Sequence, residues 1–207
     1  MQSQYRWVIA LIGLTVSFGS AQGAFAQPAS APDGWQTAVK DVILPDIARV
    51  LGAPIVPYTI KSQNARLGEM ASTDINALDT EWRTETSATA QPMISAVLSN
   101  PTSSYLTRVQ AMSIGLYSEI FVMDRNGLNV GQSNISSDYW QGDEAKFTET
   151  YPNGPKAVFI DEPEFRDDIG VWVVQVNVSV ADGATPIGAA TFEVNLTELD
   201  RRQSAGL

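Results

Sequence analysis

The stretch Tyr117-Ser-Glu-Ile-Phe-Val-Met-Asp-Arg-Asn-Gly-Leu-Asn-Val130 decides the fold. Asn126-Gly127 stands between two short apolar runs, and these two residue types tolerate the positive φ angles that a tight hairpin turn demands. The pattern predicts strands over Glu119–Met123 and Leu128–Gln132, joined through Asp124-Arg125-Asn126-Gly127. That turn lacks the ligand spacing and terminal Glu of a calcium loop, so it reads as a turn.

Downstream, Ser136–Tyr151 is polar and helix-compatible, with aromatic residues set into it. Ala157–Asp161 reads as a strand and Asp167–Gly170 as a turn. Val171–Val180 alternates Trp172, Val174, Val176 and Val178 with Val173, Gln175, Asn177 and Ser179, giving a strand with two unlike faces. Its valine face belongs against helices. Ala181–Pro186 turns the chain into a last strand, Ile187–Asn195, and Asp200–Leu207 reads as a frayed polar tail.

Upstream the period is helical. Trp35, Val39, Val42 and Ile43 share one helix face, and Pro45 kinks or divides that helix. Ile47, Val50 and Leu51 resume the apolar face before Gly52 and Pro54 stop it. Leu67, Met70, Ile75, Leu78 and Trp82 mark a second helical stretch. Pro92 suits the first turn of a short helix, and Asn100-Pro101 reads as an N-cap followed by the first helical residue of the next. Helices followed by sequential antiparallel strands predict an α+β fold, with all helices but one before the sheet.

Of 207 residues, 23 are acidic and 13 basic, a net charge of −10 that disfavours nucleic acid and anionic membrane surfaces as partners. The first 26 residues read as an export signal: Arg6, the apolar run Trp7–Phe18, and Ala24-Phe25-Ala26 as the cleavage site. An uncleaved anchor is the alternative. Residues 27–34 read as a mobile tether, 35–199 as one domain and 200–207 as the tail. No later segment is apolar enough to span a membrane, so a periplasmic or secreted protein is expected. There is no Cys and no His, which removes thiol nucleophiles, Ser-His-Asp triads and Cys- or His-ligated metals. No Ser-x-x-Lys occurs and the carboxylates are dispersed, so no catalytic residue, metal or cofactor is expected. The acidic group Asp161, Glu162, Glu164, Asp167 and Asp168 reads as a solvated turn.

Three stretches, Glu119-Ile-Phe-Val-Met-Asp-Arg-Asn-Gly127, Ser137-Asp-Tyr-Trp-Gln-Gly-Asp-Glu-Ala-Lys-Phe147 and Ile187-Gly-Ala-Ala-Thr-Phe-Glu-Val-Asn195, resemble the Cache (PAS-like, PDC) sensor domains. The resemblance covers Trp35 to about Leu199. It implies long N-terminal helices packed on a five-stranded antiparallel sheet, and a small ligand between that sheet and a helix-loop cover. Most members of that family are the extracytoplasmic halves of membrane receptors. This chain ends soon after its last strand, so a separate receptor or kinase is expected to read it. Amino-acid-binding members carry an Arg two residues before the Trp; here that residue is Asp138.

The candidate ligand-binding residues are Asp138, Tyr139, Trp140, Lys146, Gln175 and Asn177. Tyr139 and Trp140 would wall a ligand or plug the core beneath the cover. Asp138 suits an amine through charge, aided by the aromatic faces, and Lys146 suits a carboxylate; the alternative for both is a solvated face. Gln175 and Asn177 face either the pocket or water. The expected function is an exported sensor of a small amine, amino acid or carboxylate. The alternative is a periplasmic interaction module that takes no ligand.

Overall fold

The computed structural model describes residues 30–206; the expected export signal and residues 27–29 of the tether lie outside them. The hairpin forms at the Asn-Gly signal, with the positive φ taken by the glycine alone among the turn residues. Strand β1 (Tyr117–Met123) pairs antiparallel with β2 (Asn129–Gln132), and Gly127 takes φ +79°. Asp124 Oδ1 accepts from the N–H groups of Asn126 and Leu128, so the carboxylate organises the turn.

The other strands are β3 (Val158–Ile160), β4 (Glu164–Arg166), β5 (Val171–Asp182) and β6 (Thr185–Asn195). All neighbours are antiparallel, in the order β2-β1-β6-β5-β3, with β4 pairing β5 further along the same edge. The sheet is therefore five strands wide, its outer position shared by two short strands. Sequence patterning missed β4, whose Glu-Phe-Arg is too short to alternate.

One face of the sheet carries the main core. Val174, Val176, Val178 and Val180 of β5 and Ile120 and Val122 of β1 pack against the N-terminal helices. Those helices are α1 (Trp35–Ala38), α2 (Leu44–Leu51), α3 (Ile55–Leu67), α4 (Ser72–Glu85), α5 (Pro92–Leu98) and α6 (Pro101–Met112). A π turn over Val39–Ile43 joins α1 to α2, with Leu44 N–H reaching Val39 O. Pro45 has no N–H to donate and its ring crowds the preceding turn, so the helix widens there instead of dividing. Ala31, expected in a mobile tether, packs against this core.

Three sequence expectations are corrected. The supposed second helical stretch is cut: α3 ends at Leu67, Gly68 takes φ +64°, and α4 begins at Ser72. Ser136–Tyr151 is mostly irregular, with α7 only over Ala145–Thr148 and a 3-10 turn over Tyr151–Asn153, because its first part runs back along the hairpin. There Trp140 bridges Leu128, and Asn129 N–H donates to Tyr139 O at 2.9 Å. Residues 200–204 of the expected frayed tail instead complete helix α8 (Leu196–Ser204), whose Leu196 and Leu199 are buried in the main core. Thus α7 lies between strands and α8 follows them.

Caps set the helical annex around α4 and α5. Asn100 Oδ1 accepts from Ser103 N–H at 2.9 Å, the expected N-cap of α6. Glu85 accepts from the N–H groups of Met93 and Ile94, so the end of α4 caps the start of α5. Trp82 is fully buried in this annex, and its Nε1 donates to Ser136 O at 2.9 Å.

Candidate functional site

The second face of the sheet is polar at one end and aromatic at the other. Register places Glu119, Glu193 and Gln175 side by side on β1, β6 and β5. The next row holds Gln132, Phe121, Thr191 and Asn177. Phe147 of α7 and Tyr151 stack at 5.2 Å and pack with Phe121, Met123 and Ala189. That aromatic contact seats the α7 segment over the sheet.

Beside this seat is a cavity of about 320 Å³, lined among others by Glu144, Lys146, Glu164, Gln175 and Glu193. Lys146 Nζ lies 5.5 Å from the centre of the Phe121 ring. It also meets Glu144 Oε2 at 3.1 Å and Gln141 Oε1 at 3.3 Å. Glu193 is buried, accepts from Ser118 Oγ at 2.6 Å and meets Arg166 Nη1 at 3.3 Å. Glu119 is half-buried and forms no ion pair among the described residues. Burial, and then the neighbouring Glu193, push its carboxyl up to about 7. The cavity is therefore walled by carboxylates, Glu193 among them with Glu119 as its neighbour in the sheet, and by one ammonium in its cover.

The structure brings Lys146 and Gln175 together in this cavity. Asp138 stands one link away: Gln141 Nε2 donates to Asp138 Oδ1 at 2.7 Å, and Gln141 Oε1 accepts from Lys146. On its other side Asp138 pairs with Arg83 of α4 at 3.1 Å. Asn177 is fully buried and accepts from Thr191 Oγ1 at 2.8 Å, so it braces the sheet beneath the cover.

Tyr139 and Trp140 lie elsewhere. Tyr139 stacks on Trp82 at 5.3 Å, on the side of the helical annex. Its N–H and that of Trp140 both donate to Asp79 Oδ1. Burial raises the Asp79 pKa, but Arg83 and these two N–H groups outweigh it and hold the carboxyl below its usual range. Trp140 Nε1 donates to Asn126 O at 2.9 Å, closing the indole over the hairpin turn. The fit is tight: a Cβ on Gly142 would come within 2.2 Å of Trp140 Nε1, so glycine is required there.

Sequence reasoning missed Glu119, Glu193, Gln141 and Arg166. A faint signal exists: Glu119 and Glu193 are charged residues inside otherwise apolar strands, which is costly unless the charge is used or paired. Among the described residues no group of three or more acidic side chains is placed to hold a metal ion. No described helix is long and apolar enough to cross a membrane.

No protein-family model matches the chain, and no curated protein does. Solved structures do. The ligand-binding domain of the Campylobacter jejuni chemoreceptor Tlp3, in complex with 4-methylisoleucine, is similar at 10% identity and a TM-score of 0.38, over 73% of this chain and 64% of that one. The ligand-binding domain of the Pseudomonas aeruginosa chemoreceptor PctC, in complex with GABA, is similar at 11% identity and a TM-score of 0.39, over 70% and 59%. The sensor domain of the Vibrio cholerae histidine kinase DctB is similar at 17% identity and a TM-score of 0.35, over 77% and 58%. The chain spans less than two thirds of the length of each of these domains. The solved structures it resembles are thus ligand-binding and sensory domains of chemoreceptors and histidine kinases.

Proposed function

We propose that this chain is an exported sensor domain, not an enzyme, that binds a small organic amine or amino acid between the second sheet face and the α7 cover. One observation carries the reading. A half-buried carboxyl, Glu119, is the cross-strand neighbour of Glu193, and Glu193 lines a cavity together with Lys146 and Gln175. An unpaired buried acid is costly to ionise in an empty site. A ligand ammonium would supply the missing charge, draw the proton off Glu119 and strengthen the contact. Gln175 would donate or accept at the ligand's polar atoms, and Lys146 would meet a carboxylate where the ligand carries one.

Asp138 acts through Gln141, setting Lys146 from below the cover. Because Asp138 also pairs with Arg83, a shift of the cover would be felt in α4. That is the route by which occupancy would reach a membrane receptor or kinase. Export follows from the reading of residues 1–26 as a signal sequence.

The test is a thermal-shift and calorimetric screen with primary amines, amino acids and small carboxylates. Amines or amino acids should bind, and Glu119→Gln should weaken them roughly tenfold, the cost of one charge-assisted bond. Binding of simple carboxylates alone, or amine binding indifferent to Glu119→Gln, would refute the assignment.

A further inference from the structure

A second cavity lies in the helical annex. It has a volume of about 460 Å³ and shares no lining residue with the sheet cavity. Its walls differ in character. Thr59, Ser62, Gln63 and Arg66 recur at helical spacing on α3 and give a polar wall. Met93, Ala96 and Val97 of α5 give an apolar one, with Leu78 of α4 and Val130 of β2 adding to it. The size falls within the range of small-molecule sites, about 300–1,000 Å³.

Two polar side chains lining it are more than nine-tenths buried: Tyr139, 5% exposed, and Gln63, 8%. Gln63 is fully committed. Its Nε2 donates to Asp124 Oδ2 at 3.1 Å and to Asn129 O at 3.4 Å, and its Oε1 accepts from Arg66 Nη2 at 3.4 Å. The Tyr139 hydroxyl oxygen meets the Gln63 side chain, but its own proton reaches no acceptor among the described residues, although the backbone of Tyr139 is held by Asp79. Burial, and then the charge of Asp124, push that hydroxyl up to about 12, so it keeps its proton. Arg66 forms no ion pair among the described residues, in a chain with 23 acidic residues and 13 basic ones. The cavity thus offers a neutral donor in its wall and, at its exposed mouth, a cation with no carboxylate partner among the described residues.

We propose that the cavity between α3, α4 and α5 is a second binding site, for a monocarboxylate with a branched-aliphatic or aromatic body. Arg66 and the Tyr139 hydroxyl donate to the carboxylate, a charge-assisted arrangement. Met93, Val97, Leu78 and Val130 receive the apolar body. Glu81, exposed at the edge of the cavity, repels a second carboxylate, so monoacids are preferred over diacids. The site stands independently of the amine reading of the sheet cavity.

The experiment is isothermal titration of the chain with phenylacetate and 4-methylpentanoate, with succinate as comparator. Both monoacids should bind saturably at millimolar concentration or below, and succinate should not. Arg66→Ala should weaken them roughly tenfold and Tyr139→Phe several-fold, on the scale of lost charge-assisted hydrogen bonds. Glu119→Gln should leave them unchanged, which separates this site from the sheet cavity. Arg66 is exposed and Tyr139→Phe keeps the ring on Trp82, so both variants should retain the wild-type circular dichroism. No saturable heat with either monoacid overturns the proposal, as does equal affinity in Arg66→Ala, or succinate binding as tightly as the monoacids.

Discussion

Glu119 shows what one residue can and cannot disclose. In the sequence it is a single charged residue between Ser118 and Ile120. Its partner Glu193 is far along the chain, and only the register of β1 on β6 makes them neighbours. Alternation told which residues share a face, but not which strands lie side by side, so the acidic pair was invisible. The reverse holds for Tyr139 and Trp140. Their aromatic character was plain, yet their packing, a stack on Trp82 and a lid on the Asn-Gly turn, is set by tertiary contacts. The raised Glu119 pKa has a stability consequence. The folded state holds this proton up to about 7, whereas the ordinary value is 4.5. Between these values the folded state binds more protons than the unfolded chain, so the Glu119 contribution falls as pH rises through that window. Glu119→Gln, which cannot ionise, removes that loss. Urea denaturation at about pH 5 and about pH 8 should show the wild type losing more stability between the two than the variant, by up to a few kcal/mol. Equal losses would mean that Glu119 ionises freely in the folded protein.

At the scale of elements, local chemistry was the most legible signal. Asn100-Pro101 and Asn126-Gly127 carry mechanisms that act within a few residues, and both form as read. Helix α3 was missed because its buried residues Val56, Ile60, Gln63 and Asn64 mix apolar with polar, and Pro57 interrupts its start. Asn64 is buried because Nδ2 donates to Ile187 O at 2.7 Å and Oδ1 accepts from Arg125 N–H at 2.9 Å, bonds made with β6 and with the hairpin turn, both distant in sequence. Helix α8 was missed because only Leu196 and Leu199 mark its buried side. It nevertheless carried a start signal: Asn195 Oδ1 accepts from Glu198 N–H at 2.9 Å, an Asn-x-x-Glu cap. The N-cap of α6 does two jobs, since Asn100 Nδ2 also donates to Val130 O at 2.7 Å and ties the helix to β2. Asn100→Ala should therefore lower stability by about 1–2 kcal/mol, the upper part of the range for caps. A shift in the urea midpoint at constant slope would report it, and an unchanged midpoint would show that solvent replaces both bonds without cost.

At the scale of the whole molecule, an excess of negative charge competes with scattered ion pairs. The chain has no Cys, so no disulfide restrains the unfolded state and stability rests on packing and electrostatics. The described residues form pairs such as Arg49–Asp46, Lys61–Asp182 and Arg201–Glu198, each with a largely exposed cation. Exposed pairs of this kind contribute about 0–1 kcal/mol each. Against them stands a net charge of −10, whose mutual repulsion acts across the folded surface and is relieved when the chain expands. Salt screens both terms. Because the pairs are individually weak while the excess charge is shared by the whole surface, the repulsive term should dominate. Raising NaCl from about 10 mM to about 150 mM, which shortens the screening length from roughly 30 Å to roughly 8 Å, should raise the thermal midpoint. A midpoint that falls would show that the ion pairs outweigh the repulsion. Arg83 would then be the first to suspect, because it meets both Asp79 and Asp138 and so joins α4 to the cover over the sheet.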